Sequence, residues 1–336
     1  MLSICQPGYE ELLARELTAA GSAASAHGPG WVLSCAAPEA GRKPPETAFA
    51  RIILLDPKEI TGSSVNGLAQ TVLDGFSAAL GGERIEGEWP EIWLEAAEPP
   101  GLGRRAASVR NAFDTLLKRK LSRIAGLSRP ALPVRIGEAR GLFVHFTDFG
   151  RAWLSRTAFV NGPRRMADDP AAPSRSYLKV EEAYGLVGRE PAPGETVADL
   201  GAAPGGWSYS AARRGARVIA VDNGPLKGGA LDHPNIEHRR EDAFRFSPAP
   251  GERFDWLLCD LVDEPHHVLD RLVRPWIERR WCRWFVVNLK FGRVDPVEFL
   301  RELRSPLSPF SQAASVRLRH LFHNREEFTA AGWLKE

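Results

Sequence analysis

Apolar residues near the start of the chain recur with a helical period. Tyr9, Leu12, Leu13, Leu17 and Ala20 share a face, with Glu16 among them, and Gly21 is placed to end the helix. Runs with strand character follow at 31–35 (WVLSC) and 49–55 (FARIILL). A helix is predicted around Leu68–Leu80 and a strand at 91–96. Val109, Phe113, Leu116, Leu117, Leu121 and Ile124 then mark an amphipathic helix whose polar face is basic. LFVHF at 142–146 and AWLSRTAFV at 152–160 read as sheet. Residues 1–160 are thus predicted as one mixed α/β region.

The periodicity breaks at 161–173, where Pro163, Pro170 and Pro173 stand among polar residues, the composition of a linker. A helix is predicted next, carrying Leu178, Val180, Ala183, Tyr184 and Val187. Ser174 or Ser176 would cap it, with Glu181 and Glu182 near its start. From Thr196 the pattern is regular. TVADL, RVIAVD, NIEHRR, FDWLLCD and WFVVNLK are strand runs, with helices predicted around Ser208–Arg214 and Val268–Glu278. This alternation predicts a Rossmann-like, doubly wound, mostly parallel sheet within a domain at 174–336. SVRLRHLFH and EEFTAAGWL, joined by a short turn, predict a final antiparallel hairpin at its edge.

Composition narrows the class. The 336 residues are 43% hydrophobic and 26% charged, as in a soluble globular protein. No apolar run approaches the roughly 20 residues of a membrane helix, and the N-terminus lacks a basic signal region. Cys5, Cys35, Cys259 and Cys282 are scattered without a CxxC pair, so neither a disulfide framework nor a zinc site is expected. A cytoplasmic, monomeric protein with no membrane or metal partner is the expectation. The net charge of +2 conceals a local excess: seven basic residues accompany the single acid Asp114 between Arg104 and Arg123. Arg151, Arg156, Arg164 and Arg165 follow with no acid among them. Such a footprint suits a polyanion.

The chemistry concentrates at VADLGAAPGGW, where a strand run meets a glycine-rich turn and then a helix. Open α/β sheets bind ligands at such a turn. A dinucleotide fingerprint would read G-x-G-x-x-G, but here Gly201, Gly205 and Gly206 leave Ala203 where the second glycine should stand. Pro204 removes an amide donor from any phosphate cradle, and no Gly-Lys-Ser/Thr follows. The turn therefore suits a ligand without phosphates, and S-adenosylmethionine fits. Asp222, ending the second strand run, is placed for its ribose hydroxyls; Asp242, after the third, for its adenine.

Enzymes that methylate exocyclic amines often carry an Asn/Asp-Pro-Pro-Tyr clamp after the fourth strand, where this chain has Cys259-Asp260-Leu261-Val262. A lone Asp260 is followed by Lys290 at the next strand end, and these two ends converge at the cleft. A hydroxyl nucleophile needs a base, and an ordinary lysine, with a pKa of about 10.4, is a poor one at neutral pH. Burial and a second ammonium are expected to lower that value, with Lys179 as the neighbour. Asp260 and an acid from the terminal hairpin would orient the lysines. Glu326 and Glu327 are both candidates for that acid, and Glu327 adjoins the strand start at Phe328-Thr329. His266 and His267, adjacent on a helix, point about 100° apart, which suits capping or solvation better than metal binding.

SRSYLKVEEAY, DLGAAPGGWSY, VDNGP, REDAF, CDLV, NLK and LFHNREEFT, in that order, resemble the ribosomal RNA large subunit methyltransferase M family, a relative of the FtsJ-like ribose 2′-O-methyltransferases. The resemblance implies a class I methyltransferase domain, with Lys179, Asp260, Lys290 and Glu327 as a catalytic tetrad and Lys290 as proton acceptor. It implies S-adenosylmethionine contacts from Ser176, Gly201, Ala203, Pro204, Gly205, Gly206, Trp207, Asp222, Asp242 and Asp260. The family often has cysteine where Ala203 stands. QPGYEELLAREL and FARI echo the family's start, which implies a THUMP-like RNA-binding region over 1–160. The implied substrate is a cytidine ribose of 23S rRNA or its precursor. Two other readings compete. A nicotinamide oxidoreductase is opposed by Ala203 and Pro204, and a catalytically silent RNA-binding relative would need a broken tetrad, whereas every member is present.

Overall fold

The computed structural model describes residues 1–35 and 43–335. The chain divides into two compact units, Met1–Gly162 and Pro163–Glu336.

The first unit opens with β1 (Leu2–Ile4), α1 (Glu10–Ala19), β2 (Ala24–Gly28), β3 (Trp31–Ser34), β4 (Ile52–Leu55) and β5 (Lys58–Thr61). It continues with α2 (Val65–Leu80), β6 (Trp89–Glu95), α3 (Leu102–Lys120), α4 (Ser122–Gly126), β7 (Ser128–Arg129), β8 (Gly137–Asp148) and β9 (Arg151–Val160). The strands form one mixed sheet in the order β2-β3-β1-β4-β9-β8-β6-β7, with β5 also paired to β9. Two helices cover one face. Leu68, Val72 and Phe76 of α2 and Val109, Phe113 and Leu117 of α3, each set spaced four apart, are buried against Leu142, Val144, Phe146 and Leu154.

Some expectations shift here. The strand predicted at 49–55 begins only at Ile52, because the buried Glu16 carboxylate takes the N–H groups of Ala48 (2.7 Å) and Phe49 (3.2 Å) and holds that backbone off the ladder. β2 and β5 run through ASAHG and KEIT, too small or polar to announce themselves. The basic helix predicted through Ile124 breaks at Leu121 into α3 and α4, and the two together have fewer free charges than their sequence suggests. Arg105 donates to the carbonyls of Phe149 (3.1 Å) and Ser63 (2.7 Å), and Arg123 to that of Ile85 (2.6 Å). Arg110 lies 3.6 Å from Glu91, while Arg104, Lys118, Arg119 and Lys120 remain exposed.

The second unit contains α5 (Tyr177–Val187), β10 (Thr196–Leu200), α6 (Gly206–Ala212), β11 (Arg217–Val221), β12 (Ile236–Arg239) and β13 (Phe254–Cys259). Next comes α7 (Pro265–Val268), which widens into a π turn over Leu269–Val273 and resumes as α8 (Arg274–Glu278). Pro275, with no N–H to donate, lies just past the widened turn. The unit ends with β14 (Cys282–Lys290), α9 (Pro296–Leu303), β15 (Ala313–Arg319) and β16 (Glu327–Leu334). The strand order is β12-β11-β10-β13-β14-β16-β15. β10 to β14 pair in parallel, and β16 runs antiparallel to both β14 and β15. Val197, Leu257, Leu258, Val286 and Val287 are fully buried, as expected of central parallel strands with both faces covered.

α5 departs from its predicted capping. Ser176 stands at the N-cap position with helical dihedrals and makes no capping bond; its hydroxyl pairs instead with that of Ser174 at 2.7 Å. Glu181 and Glu182 lie in the middle of the helix, buried, rather than in its first turn. Their charges are met by other donors. Glu181 takes Arg214 (2.6 Å) and Ser210 (2.7 Å), while Glu182 accepts the backbone N–H groups of Arg164 (2.7 Å), Phe322 (2.8 Å) and His323 (3.3 Å).

Candidate active site

β10 ends in Leu200, and the chain then makes the glycine-rich turn into α6. Gly201 (φ 80°) and Gly205 (φ 104°) adopt the left-handed conformation that glycine tolerates. Packing demands glycine as well: a Cβ on Gly201 would stand 2.7 Å from Leu261, one on Gly205 2.5 Å from Ala230, and one on Gly206 2.9 Å from the Ser176 hydroxyl. The Asp222 carboxylate accepts the N–H groups of Ala203 (3.0 Å) and Gly224 (2.7 Å), and the Pro204 carbonyl accepts from Lys227 N–H (2.9 Å). The buried Trp207 indole donates to the Ser176 carbonyl at 2.9 Å. Ser176, Gly201, Ala203, Pro204, Gly205, Gly206, Trp207 and Asp222 are therefore gathered around one turn. Asp242 is not tied to them by any hydrogen bond among the described residues. It lies three residues past β12, accepts Phe244 N–H at 3.0 Å and stands 3.5 Å from Arg245.

Asp199, within β10, was not among the sequence candidates. Burial pushes its carboxyl up to about 7, against a hydrogen bond from Ser208 (2.6 Å), with Asp260 and Asp222 adding to the push. Its second oxygen is buried without a hydrogen-bond partner among the described residues. A polar residue in the middle of TVADL was the available signal.

Lys179, Asp260, Lys290 and Glu327 converge. Lys290 ends β14 and is the ladder partner of Glu327, which opens β16; Asp260 follows β13, and α5 packs Lys179 against β16. Lys290 Nζ donates to Asp260 Oδ1 at 2.6 Å and also to Glu327 Oε2. Lys179 Nζ is 2.5 Å from Glu327 Oε1 and 3.7 Å from Asp260 Oδ2. Each lysine thus bridges both carboxylates. Of the two candidate acids it is Glu327, 3% exposed, that joins them, whereas Glu326 faces solvent beside Gly292.

The electrostatics correct one expectation. Burial does oppose the Lys290 ammonium, but Asp260 and Glu327 outweigh it, and the lysine titrates above its ordinary value rather than below. Burial likewise pushes Glu327 up, yet Lys290 and Lys179 outweigh it and hold the carboxyl below its usual range. The second ammonium does not depress Lys290, because two carboxylates stand between the lysines.

Polar residues behind this cluster were also missed. Asn288 Nδ2 donates to Asp260 Oδ1 at 3.0 Å, and Thr329, the ladder partner of Asn288, donates to the Asn288 carbonyl at 2.6 Å. Both side chains are fully buried. Elsewhere, His266 sits between Glu264 (2.7 Å) and Glu302 (2.8 Å); burial lowers its pKa, but the two carboxylates outweigh burial and raise it. His267 stacks on Phe244. Among the described residues, no cluster of His, Cys, Asp or Glu could hold a metal ion, and no helix is long and apolar enough to cross a membrane.

A relative from Halorhodospira halophila, named ribosomal RNA large subunit methyltransferase M, is 33% identical over 97% of this chain and 94% of its own length. The chain belongs to the ribosomal RNA large subunit methyltransferase M family. A second member, from Alkalilimnicola ehrlichii, is 32% identical over 98% of this chain and 93% of its own. The FtsJ-like methyltransferase family model matches residues 172–281. Among solved structures, TrmN from Thermus thermophilus is similar with a TM-score of 0.37 and 16% identity over 99% of each chain. As a member of the methyltransferase M family the chain is an enzyme, a methyltransferase, and its FtsJ-like segment holds the turn, Lys179 and Asp260, while Lys290 and Glu327 lie beyond it.

Proposed function

We propose that the chain is an RNA ribose 2′-O-methyltransferase that uses S-adenosylmethionine, acts on a cytidine of 23S rRNA, and employs Lys290 as general base. The observation that carries this reading is the neutral cluster of two lysines and two carboxylates at the ends of β13, β14 and β16. The relatives' name supports the rRNA substrate.

The turn fits the cofactor on two counts. Ala203 and Pro204 offer no phosphate cradle, which matches a ligand without phosphates, and Asp199 keeps a buried oxygen in want of a polar partner. Asp222 and Ser176 would hold it beside the glycine-rich backbone, with Asp242 toward the adenine. S-adenosylmethionine, when bound, supplies a methyl group on a positively charged sulfur. A hydroxyl can give its proton only to the neutral form of Lys290, whose amine has a lone pair to accept it. Neutral Lys290 then accepts the ribose hydroxyl proton, while Asp260 and Glu327 orient its Nζ and Lys179 balances their charge. The first unit is a THUMP-like RNA-binding region in this reading, with Arg104, Lys118, Arg119 and Lys120 free to meet phosphates. The target nucleotide must be splayed locally to reach the cluster.

The test is methyl transfer from labelled S-adenosylmethionine to protein-free large-subunit rRNA by wild type and Lys290→Ala, with digestion to nucleosides. Ribose-bound label that falls on the order of a thousandfold in the variant is the expected result. Label on a base would overturn the assignment of the reacting atom. No label from wild type that still binds the cofactor would favour a catalytically silent RNA-binding protein.

A further inference from the structure

We propose that Asn288 and Thr329 are positioning residues that fix Asp260 between the two lysines through a one-way relay of hydrogen bonds; this rests on Lys290 being the base. Lys290 and Glu327 form one rung of the β14–β16 ladder, and Asn288 and Thr329 form the rung two residues further in. Side chains two apart on a strand share a face, so the second rung stands directly behind the first. Asp260 Oδ1 is shared by Lys290 Nζ (2.6 Å) and Asn288 Nδ2 (3.0 Å).

The direction of the relay follows from the number of protons available. Thr329 has one hydroxyl proton. Asn324 Nδ2, at 3.0 Å, donates to the Thr329 oxygen, and the same nitrogen reaches the Glu327 carbonyl at 3.1 Å. The hydroxyl proton has two acceptors in range: the Asn288 carbonyl at 2.6 Å and the Asn324 carbonyl at 3.4 Å. The shorter, stronger bond goes to Asn288. With its carbonyl so engaged, the Asn288 amide turns its NH₂ toward Asp260. Asn288 and Thr329 are 0% exposed and Asn324 1%, so water cannot substitute for a missing member. Losing the Thr329 hydroxyl frees the Asn288 amide to rotate. The buried Asn288 carbonyl loses its Thr329 donor, the amide shifts to regain one, and its NH₂ no longer holds Asp260 Oδ1 firmly in place between Lys179 and Lys290.

The test compares wild type, Thr329→Val, which keeps the shape without the hydroxyl, and Thr329→Ser, which keeps the hydroxyl. In T329V, kcat for methyl transfer should fall about 10- to 100-fold, with KM for rRNA and S-adenosylmethionine within about twofold, and T329S should recover to within about threefold. Unchanged kcat in T329V overturns the proposal, as does an equal loss of kcat and thermal stability in both variants. A second readout needs neither RNA nor cofactor: the rate at which acetic anhydride modifies Lys290, read by peptide mass spectrometry. Lys290 should react faster in T329V than in T329S, and equal rates overturn the relay. If wild type transfers no methyl to ribose, the base assignment falls, and the modification rates alone decide the relay.

Discussion

Each unit of the molecule holds a close pair of carboxyl groups, at least partly buried, and the two pairs are solved differently. In the first unit, Asp114 of α3 hydrogen-bonds Glu91 of β6. Glu91 also accepts from the Trp93 indole (2.8 Å) and Ser128 (2.5 Å), with Arg110 at 3.6 Å. Burial, and then the Glu91 charge, push Asp114 up to about 6, so below that pH Asp114 keeps its proton beside Glu91. In the second unit, Asp260 and Glu327 are each met by two lysines, and the proton stays on nitrogen instead. Lys290 keeps 22% of its side chain exposed, so that proton sits where a substrate can reach it. Two close carboxyls are therefore no sign of catalysis by themselves. The amines between them, and an opening to solvent, make the difference.

The largest effect expected in that comparison comes from Glu327→Gln, which leaves two ammoniums with one carboxylate. Single-turnover methyl transfer should fall at least about 100-fold, and stability by roughly 3 kcal/mol for a broken buried ion pair. Removing an anion also lowers the Lys290 pKa, so the rising limb of the pH–rate profile should move to lower pH. A limb that stays in place would separate Glu327 from the base. Reversing Arg119 and Lys120 to Glu in the first unit should weaken RNA binding about tenfold or more at low salt and lower the salt slope by about two. Cofactor affinity, read by calorimetry, should not move; unchanged RNA affinity would remove α3 from the interface.

The smallest effect belongs to the acid–acid pair. Asp114 has a raised folded pKa, so its contribution to stability is full below the unfolded carboxyl value and is lost as pH rises toward 6. Because the side chain is only half buried, the loss between about pH 4 and pH 6.5 should be about 1 kcal/mol, measured by denaturant unfolding. Asp114→Asn, which always carries its donor protons, should flatten that slope, and an equally steep slope would place the proton elsewhere.

Much of this was legible from the residues. DLGAAPGGW, Asp222, Asp260, Lys290 and Glu327 lie at strand ends or beside them, where chain order alone implies proximity. The lysines' protonation was not legible: chain order places both carboxylates with both lysines, but not how closely each approaches an ammonium, and that closeness decides whether burial or charge wins. Basic residues misled in a similar way. Arg105, Arg123 and Arg151 read as free charge, yet Arg105 and Arg123 bind carbonyls and Arg151 pairs with Glu59 at 2.9 Å. α9 carried a legible start, with Asp295 capping Val297 and Glu298 ahead of Pro296 at its first position, but its eight residues were too few for a helical period to stand out.

Because Lys290 and Glu327 are rungs of one ladder, their spacing is written in backbone hydrogen bonds and not in the conformation of any loop. Although Phe299, Leu300, Leu303 and Phe310 are buried, exposed turns between Phe291 and Gln312 can lengthen without disturbing that spacing. A single residue inserted inside β16 cannot, since it would turn Glu327 to the opposite face while the apolar positions behind it keep their places. The β14–β16 pair is thus a transplantable cassette carrying half of the tetrad and the Asn288–Thr329 rung together. Lys179, delivered by a helix, and Asp260, which follows β13, have to be supplied by whatever scaffold receives it.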